Sequence, residues 1–540
     1  MIKRIVLLSG HICSGKTTLC DGLVDEFNFQ VLKTKDVIKQ LSRKSKSGRG
    51  NLQKFGDNLD KKTGGGWVRD AVARKIAEFN NDFSVIVDAV RIPQQVEKIR
   101  EAFGGNVIHI HVTAPQEILE KRYLERQRPE DKDFSSYADV LKNDTEKNVD
   151  QLINIADVVI DTNRCTKADV MVRTAAHLGL FGRGGERLVD VIVGGQYGSE
   201  GKGQIAAYMA REYDILVRVG GPNAGHTVFE KPKPFVFRQL PSGSRSSEAK
   251  LVIGPGAVLN VEKLLEEIAE CQIDNERLSI DEKAIIISPG DVKKERNLVK
   301  NISSTGQGVG YATARRITGR GLKNVVLARD VAKLRPFVQE TFKIFEKAFA
   351  EGRKILLEGT QGTGLSLYHG PYPHVTSRDT TVAGCLAEAG ISPHRVRKII
   401  MVCRTYPIRV ADPISDLKES DKTSGYMSQP LSWEVVAERS GLNIKNIKAT
   451  EITSTTKRER RVAEFDWELL HKAAMLNNPT DVALTFADYL SSENEAAHRF
   501  EQLHPDTINF IQEVEKVSLA SVSLISKGFG ERSIIDRRKW

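Results

Sequence analysis

The 540-residue sequence has no apolar run near the roughly 18–20 residues of a membrane span. It has only six cysteines (Cys13, Cys20, Cys165, Cys271, Cys385 and Cys403), with no C-x-x-C pair among them. That scatter excludes the usual zinc-ribbon spacing and a disulfide framework, and it fits a reducing cytosol. No internal repeat, aromatic-interleaved basic patch or DNA-binding signature is visible, so nucleic acid is not an expected partner. The net charge of +10 suits anionic small molecules equally well. MIKRIVLL begins like a leader peptide, but its apolar run ends in a phosphate loop. Export is therefore not expected, and a cytoplasmic location is. At this length one core is not enough, and several domain-sized units are expected.

Two glycine-rich loops are present. The first, GHICSGKT at 10–17, is a complete G-x-x-x-x-G-K-S/T motif. It lies between the strand IVLL and the helix TTLCDGLVDEF, the order a phosphate loop requires. Gly10 and Gly15 allow the turn, Lys16 would reach the β- and γ-phosphates, and Thr17, beside Thr18, would hold Mg²⁺. Asp88 ends the apolar strand FSVIVD, where an acidic residue orients Mg²⁺ or its water. Further strands are expected at 106–112 and 156–163. The helix at 117–131 carries Arg122 and Arg126 four residues apart, on one face, as a phosphate-clamping lid would need. The Gly-, Lys- and Asp-rich stretch 43–65 reads as a mobile acceptor-binding loop. Asp36 is a candidate to read the acceptor nucleoside.

The second loop, GGQYGSEGKG at 194–203, follows the apolar run 188–193, which only Asp190 interrupts. Its free N–H groups suit a phosphate. Gly203 follows Lys202, so this loop lacks the hydroxyl that holds Mg²⁺ in the first. Downstream come GGPNAGHT (220–227), EGTQGTG (358–364), YHGPYPHVTSRDTT (368–381) and TTKRERR (455–461). Strands are expected at 214–221, 252–260, 284–288, 396–406, 482–488 and 522–526. A Gly-, Thr- and Arg-rich loop at 302–321 suits a phosphate monoester.

The four motifs from 194 to 381, in this order, resemble the adenylosuccinate synthetase family over about residues 187–537. Their length is that of compact archaeal or phage members. The segment AVRIPQQVEKIREAF (89–103) resembles P-loop deoxynucleoside monophosphate kinases and dephospho-CoA kinases, which makes Arg91 a candidate contact of the acceptor phosphate. The fold class implied is α/β. Residues 1–180 would form a P-loop kinase-like three-layer domain with a parallel sheet. Residues 181–187, with GRGGER at 182–187, would form a linker. Residues 188–540 would form a P-loop-related α/β domain with a large central sheet.

The resemblance implies a ligase that joins L-aspartate to C6 of a 6-oxopurine nucleotide through a 6-phosphoryl intermediate. It implies catalytic roles for His226 as general acid and for Ser199, Lys202 and Gln361. Gly198, Glu200, Asn223, Thr305 and Thr376 would surround the purine nucleotide. The Gly225 carbonyl would ligate Mg²⁺. Arg320 would reach the 5′-phosphate across a homodimer. Thr456, Arg458 and Arg460 would hold both carboxylates of aspartate. Asp488, Phe486, Ser526 and Gly528 would bind the base of the donor triphosphate.

Two positions depart from the family. Ser199 stands where the family carries the Asp that removes the N1 proton and ligates Mg²⁺. A small hydroxyl there leaves room for the 2-amino group of guanine, as in phage 2-aminoadenylosuccinate synthetases, so dGMP is the expected substrate. Phe486 replaces a Lys in T-K-x-D, so ATP or dATP competes with GTP as donor. Ordinary synthesis from IMP with GTP, and a non-catalytic nucleotide sensor, are the alternatives.

Overall fold

The computed structural model describes residues 2–42, 49–79, 83–125, 136–141, 149–181, 185–230, 233–410, 424–452, 459–528 and 533–539. They form two compact units, Met1–Phe181 and Gly182–Trp540. Among the described residues no helix is long and apolar enough to cross a membrane.

The first unit is built on five strands: β1 (Ile2–Ser9), β2 (Gln30–Leu32), β3 (Phe83–Val87), β4 (Val107–Thr113) and β5 (Val158–Asp161). All are parallel, in the order β2-β3-β1-β4-β5. Along β1, Ile5 and Leu7 enter one core while Val6 and Leu8 enter the other. A sheet covered on both faces buries both sets, so β1 reads as a continuous apolar run. Gly10 follows β1 with φ 135°, and a Cβ there would lie 2.0 Å from the Val112 carbonyl oxygen. The backbone at that turn is therefore open to glycine alone.

The expected loop at 43–65 is corrected. Residues 49–63 form the helix Arg49–Thr63, and 43–48 lie outside the described residues. Composition suggested a loop, but Leu52, Phe55 and Leu59 recur at helical spacing, and Leu59 packs on the core.

The second unit centres on a ten-stranded sheet in the order β14-β12-β10-β7-β15-β6-β16-β20-β21-β22. Its strands are β6 (Val189–Gly194), β7 (Ile215–Arg218), β10 (Lys250–Ile253), β12 (Leu278–Asp281), β14 (Val338–Gln339), β15 (Ile355–Glu358), β16 (Val396–Arg404), β20 (Asp481–Thr485), β21 (Ser521–Ser526) and β22 (Ile534–Asp536). All pairings are parallel except β21 with β22, which extends the sheet past the expected last strand. Small sheets flank it: β8 (His226–Val228) with β9 (Phe235–Phe237), β11 (Val258–Leu259) with β13 (Ile285–Ile286), and β17 (Ile408–Val410), β19 (Arg460–Ala463) and β18 (Pro430–Leu431). Asp190, the polar break in β6, is buried and accepts from the Tyr213 hydroxyl at 2.6 Å and from Arg397 at 2.6 and 2.9 Å. A second correction concerns 302–321. Only 303–308 is irregular before the helix Val309–Thr318, whose Val309 and Ala312 pack inward.

Candidate active site

In the second unit the loops after β6, β7, β15, β16 and β20 leave the same carboxyl edge of a parallel sheet. Such an edge is where open α/β sheets bind ligands. They enclose a cavity of about 900 Å³. The loops after β6 and β15 interlock: Gly364 N–H donates to the Gln196 carbonyl at 2.8 Å, and Thr363 Oγ1 donates to the Gly194 carbonyl at 2.8 Å. A Cβ on Gly362 would lie 2.4 Å from the Gln196 oxygen. Two glycine motifs some 160 residues apart in sequence are thus one piece of backbone packing.

Ser199 is exposed to this cavity, which Gly198, Lys202, Asn223, Gly225, His226, Thr305, Gln361 and Thr376 also line. Asn223 Oδ1 and Thr305 Oγ1 are buried without a protein partner, as acceptors awaiting a ligand would be. Gln361 holds φ 60° although it is not glycine, a strained backbone typical of functional positions.

Glu200 is turned under the loop. It accepts from Gln196 N–H at 3.0 Å, Gly198 N–H at 2.7 Å and Lys202 Nζ at 2.6 Å. It is 1% exposed and does not line the cavity. Arg320 is exposed and donates to the Ile317 carbonyl at 2.9 Å, away from the cavity. Thr456 and Arg458 lie outside the described residues, whereas Arg460 lines the cavity.

His226 shows what sequence reasoning missed. Its Nδ1 faces Glu358, the last residue of β15. Glu358 also accepts from Arg218 Nη1 at 2.7 Å, from Ser242 N–H at 2.7 Å and from Ser242 Oγ. His226 Nε2 is buried without a protein partner, and His226 lines the cavity. Burial, and then the Arg218 charge, push the His226 imidazole down to about 4. Burial pushes Glu358 up, but Arg218, His226 and Ser242 outweigh it and keep the carboxyl ionised. The available signal was an acidic residue ending the apolar run ILLE.

Of the donor-base candidates, Phe486, Ser526 and Gly528 line the cavity. One face of the Phe486 ring carries the Arg404 guanidinium, 3.9 Å from its centroid. Asp488 is buried outside the lining. Its Oδ1 has no protein partner, and burial raises its carboxyl to about 7.

In the first unit Thr17 and Thr18 are exposed at the start of the helix Lys16–Phe27. Lys16 Nζ donates to the Gly10 and His11 carbonyls at 2.6 and 2.7 Å. Gly15 turns the loop with φ 107°, and Asp88 follows β3. Arg91 N–H donates to Gln95 Oε1 at 2.8 Å, and Gln95 in turn bonds Asp60. Arg122 is engaged beside the loop: it donates to Thr162 Oγ1 at 2.8 Å and to the Thr162 carbonyl at 2.9 Å. Arg126 lies outside the described residues.

For Mg²⁺ the two units offer different donors. In the first the candidates are the Thr17 hydroxyl, exposed at the helix start, and the Asp88 carboxylate, which follows β3. In the second the Gly225 carbonyl is the candidate, in a cavity that Glu295 and Glu451 also line. Mg²⁺ takes few protein ligands because phosphate and water complete its shell.

Comparison with known proteins finds relatives of both units. A family model for adenylosuccinate synthetase matches residues 191–332 and 326–496, and one for an AAA domain matches 6–168. The adenylosuccinate synthetase of Methanocaldococcus jannaschii is 36% identical over 356 residues, covering 64% of this chain and 96% of that protein. That of Thermococcus sibiricus is 35% identical over 357 residues, covering 65% and 98%. Among solved structures, the cyanophage S-2L succinoaminodeoxyadenylate synthetase, bound to dGMP and dATP as an energy donor, matches with TM-score 0.53 and 28% identity, covering 65% of this chain and 96% of that one. The fully ligated Plasmodium falciparum adenylosuccinate synthetase shares the fold with TM-score 0.54 and 21% identity, covering 65% and 99%.

Proposed function

The chain belongs to the adenylosuccinate synthetase family, and from this we propose that residues 188–540 join L-aspartate to C6 of dGMP, in preference to IMP. The observation that carries the substrate choice is Ser199, a small neutral side chain exposed to the cavity where the family has a carboxylate. The cyanophage relative, solved with dGMP, supports it.

The γ-phosphoryl of the donor passes to O6 of the purine while the N1 proton leaves to water in the cavity, Ser199 offering no carboxylate to take it. The aspartate amine then attacks C6, the C6–O6 bond breaks, and phosphate leaves with O6. His226 presents Nε2 to the transferring group while Glu358 holds Nδ1–H. An arriving phosphoryl anion favours a proton on Nε2, and the ionised Glu358 stabilises the imidazolium so formed. The loop N–H groups stabilise the developing charge, with Lys202 held behind them by its pair with Glu200, and Gln361 is fixed beside them by its backbone. Arg460 offers its guanidinium to a carboxylate of aspartate. The Gly225 carbonyl would hold Mg²⁺, which would supply neutralisation of phosphate charge there.

We assign ATP or dATP as donor, since Phe486 has no cation to offer a guanine carbonyl. GTP is the competing reading, supported by the retained Asp488. A homodimer belongs to the proposal, with exposed Arg320 as the residue that would serve a second copy. Residues 1–180 are read as a nucleoside monophosphate kinase that uses Lys16, Thr17, Thr18 and Asp88 on the donor phosphates and Arg91 on the acceptor.

The test is incubation with Mg²⁺, ATP, aspartate and either dGMP or IMP, following phosphate and succino-nucleotide. Faster turnover of dGMP is expected; IMP consumed far faster overturns the substrate assignment.

A further inference from the structure

Glu451 is fully buried. Its Oε1 accepts from Arg404 Nη2 at 2.8 Å and from the Tyr489 hydroxyl at 2.8 Å, and its Oε2 accepts from Arg460 Nη1 at 3.0 Å. The two arginines belong to different parts of the cavity. Arg404 is 1% exposed and lies against the Phe486 ring, the platform assigned to the donor base. Arg460 lines the cavity where a dicarboxylate is expected. The chain reinforces this arrangement: Arg460 N–H donates to the Glu451 carbonyl at 3.0 Å, beside a bridge between Ile452 and Glu459.

We propose that Glu451 is a positioning residue shared by the donor-base and aspartate subsites, and that it makes their occupancies interdependent. This rests on the reading of residues 188–540 as an aspartate ligase. The cluster holds two guanidinium groups and one carboxylate, with Arg404 and Glu451 buried and Arg460 18% exposed at the cavity, and neither arginine has another carboxylate among the ion pairs described. Arg460 engages Glu451 through Nη1, while its Nε is buried without a protein partner. The guanidinium fork therefore keeps donors for a second carboxylate. Aspartate bound there draws on the charge that Glu451 shares, so Glu451 turns more fully to Arg404 and pins it under Phe486. Linkage requires the donor to strengthen aspartate binding by the same factor.

The experiment is calorimetric titration of aspartate into the full-length protein with Mg²⁺ and dGMP, with and without saturating adenylyl imidodiphosphate. In the wild type the analogue is expected to tighten aspartate about fivefold or more. In Glu451→Gln that factor should fall below about twofold, with dGMP binding retained and KM for aspartate and ATP raised more than kcat is lowered. Tyr489→Phe removes one bond to Glu451 but neither arginine, and should keep the coupling. Arg404→Lys, which preserves the buried charge, covers the case in which Glu451→Gln fails to fold, and should also lose it. Coupling that persists in both Glu451→Gln and Arg404→Lys, or aspartate that binds the wild type without coupling, overturns the proposal alone. A wild type that binds no aspartate with either nucleotide overturns the ligase reading, and the proposal with it.

Discussion

The two glycine loops of this chain solve one problem differently. In the first, Lys16 Nζ is capped by the Gly10 and His11 carbonyl oxygens, and Thr17 next to it offers a hydroxyl to a ligand. In the second, Lys202 is 1% exposed and its Nζ is neutralised by buried Glu200, while Gly203 brings no hydroxyl. The first loop carries its lysine and its candidate metal hydroxyl in adjacent residues. The second is one wall of the cavity, and the groups that meet there come from other strands: His226 at the start of β8, Glu358 and Gln361 at and after the end of β15, Arg460 at the start of β19. A short motif suffices where the reacting groups are local, and a constellation is needed where they are not.

That contrast can be broken first at the lysines. Lys202→Ala strands Glu200 without its cation and is expected to destabilise the second unit by about 3–5 kcal/mol. Lys16→Ala should leave thermal unfolding within about 0.5 kcal/mol of wild type while kinase turnover falls about 10²–10³-fold. Equal melting shifts for both would erase the distinction. Next in size, His226→Ala should lower ligase kcat about 10²–10⁴-fold and leave the kinase reaction unchanged in the same sample.

A pH profile sharpens the role of the Glu358–His226 pair. His226 is neutral in the empty cavity because burial and Arg218 depress its pKa to about 4. Its pKa must rise when an anion binds, so binding takes up a proton. Donor affinity should therefore fall as pH rises from about 4 to the pKa of the complex, by up to about tenfold per unit, and level off above it. Glu358→Gln should flatten that slope, and an unchanged slope would remove His226 from the phosphoryl site. The smallest effect concerns the base: Ser199→Asp should move the dGMP-to-IMP preference toward IMP, by about tenfold if one crowded amine is at stake. An unchanged ratio, measured in mixed-substrate turnover, counts against the steric argument.

Much of the chain was readable in order. The strands β1, β3 and β4 and the central β6 stand out because sheets covered on both faces need unbroken apolar runs. The cavity wall was readable from its glycine motifs. Residues 49–63 were not, because helical spacing of Leu52, Phe55 and Leu59 was hidden among glycine, lysine and aspartate. Glu200 could not be placed either. The resemblance set it among the groups around the purine nucleotide, whereas the fold turns it inward onto Gln196, Gly198 and Lys202. Phe486 was expected to offer its ring to a purine, and the structure adds that Arg404 covers the other face.

The sequence alone determined the division of labour: one loop with its own lysine and hydroxyl, and a second loop set among four distant motifs, with Ser199 in place of a carboxylate. These are properties of neighbouring residues and of their order. Only the tertiary structure decided which charged groups meet. Glu358 stands 132 residues from His226, and Glu451 stands 47 from Arg404. Buried charges are tolerated only beside their partners, and partners so far apart in the chain are brought together by strand order, which local sequence does not record.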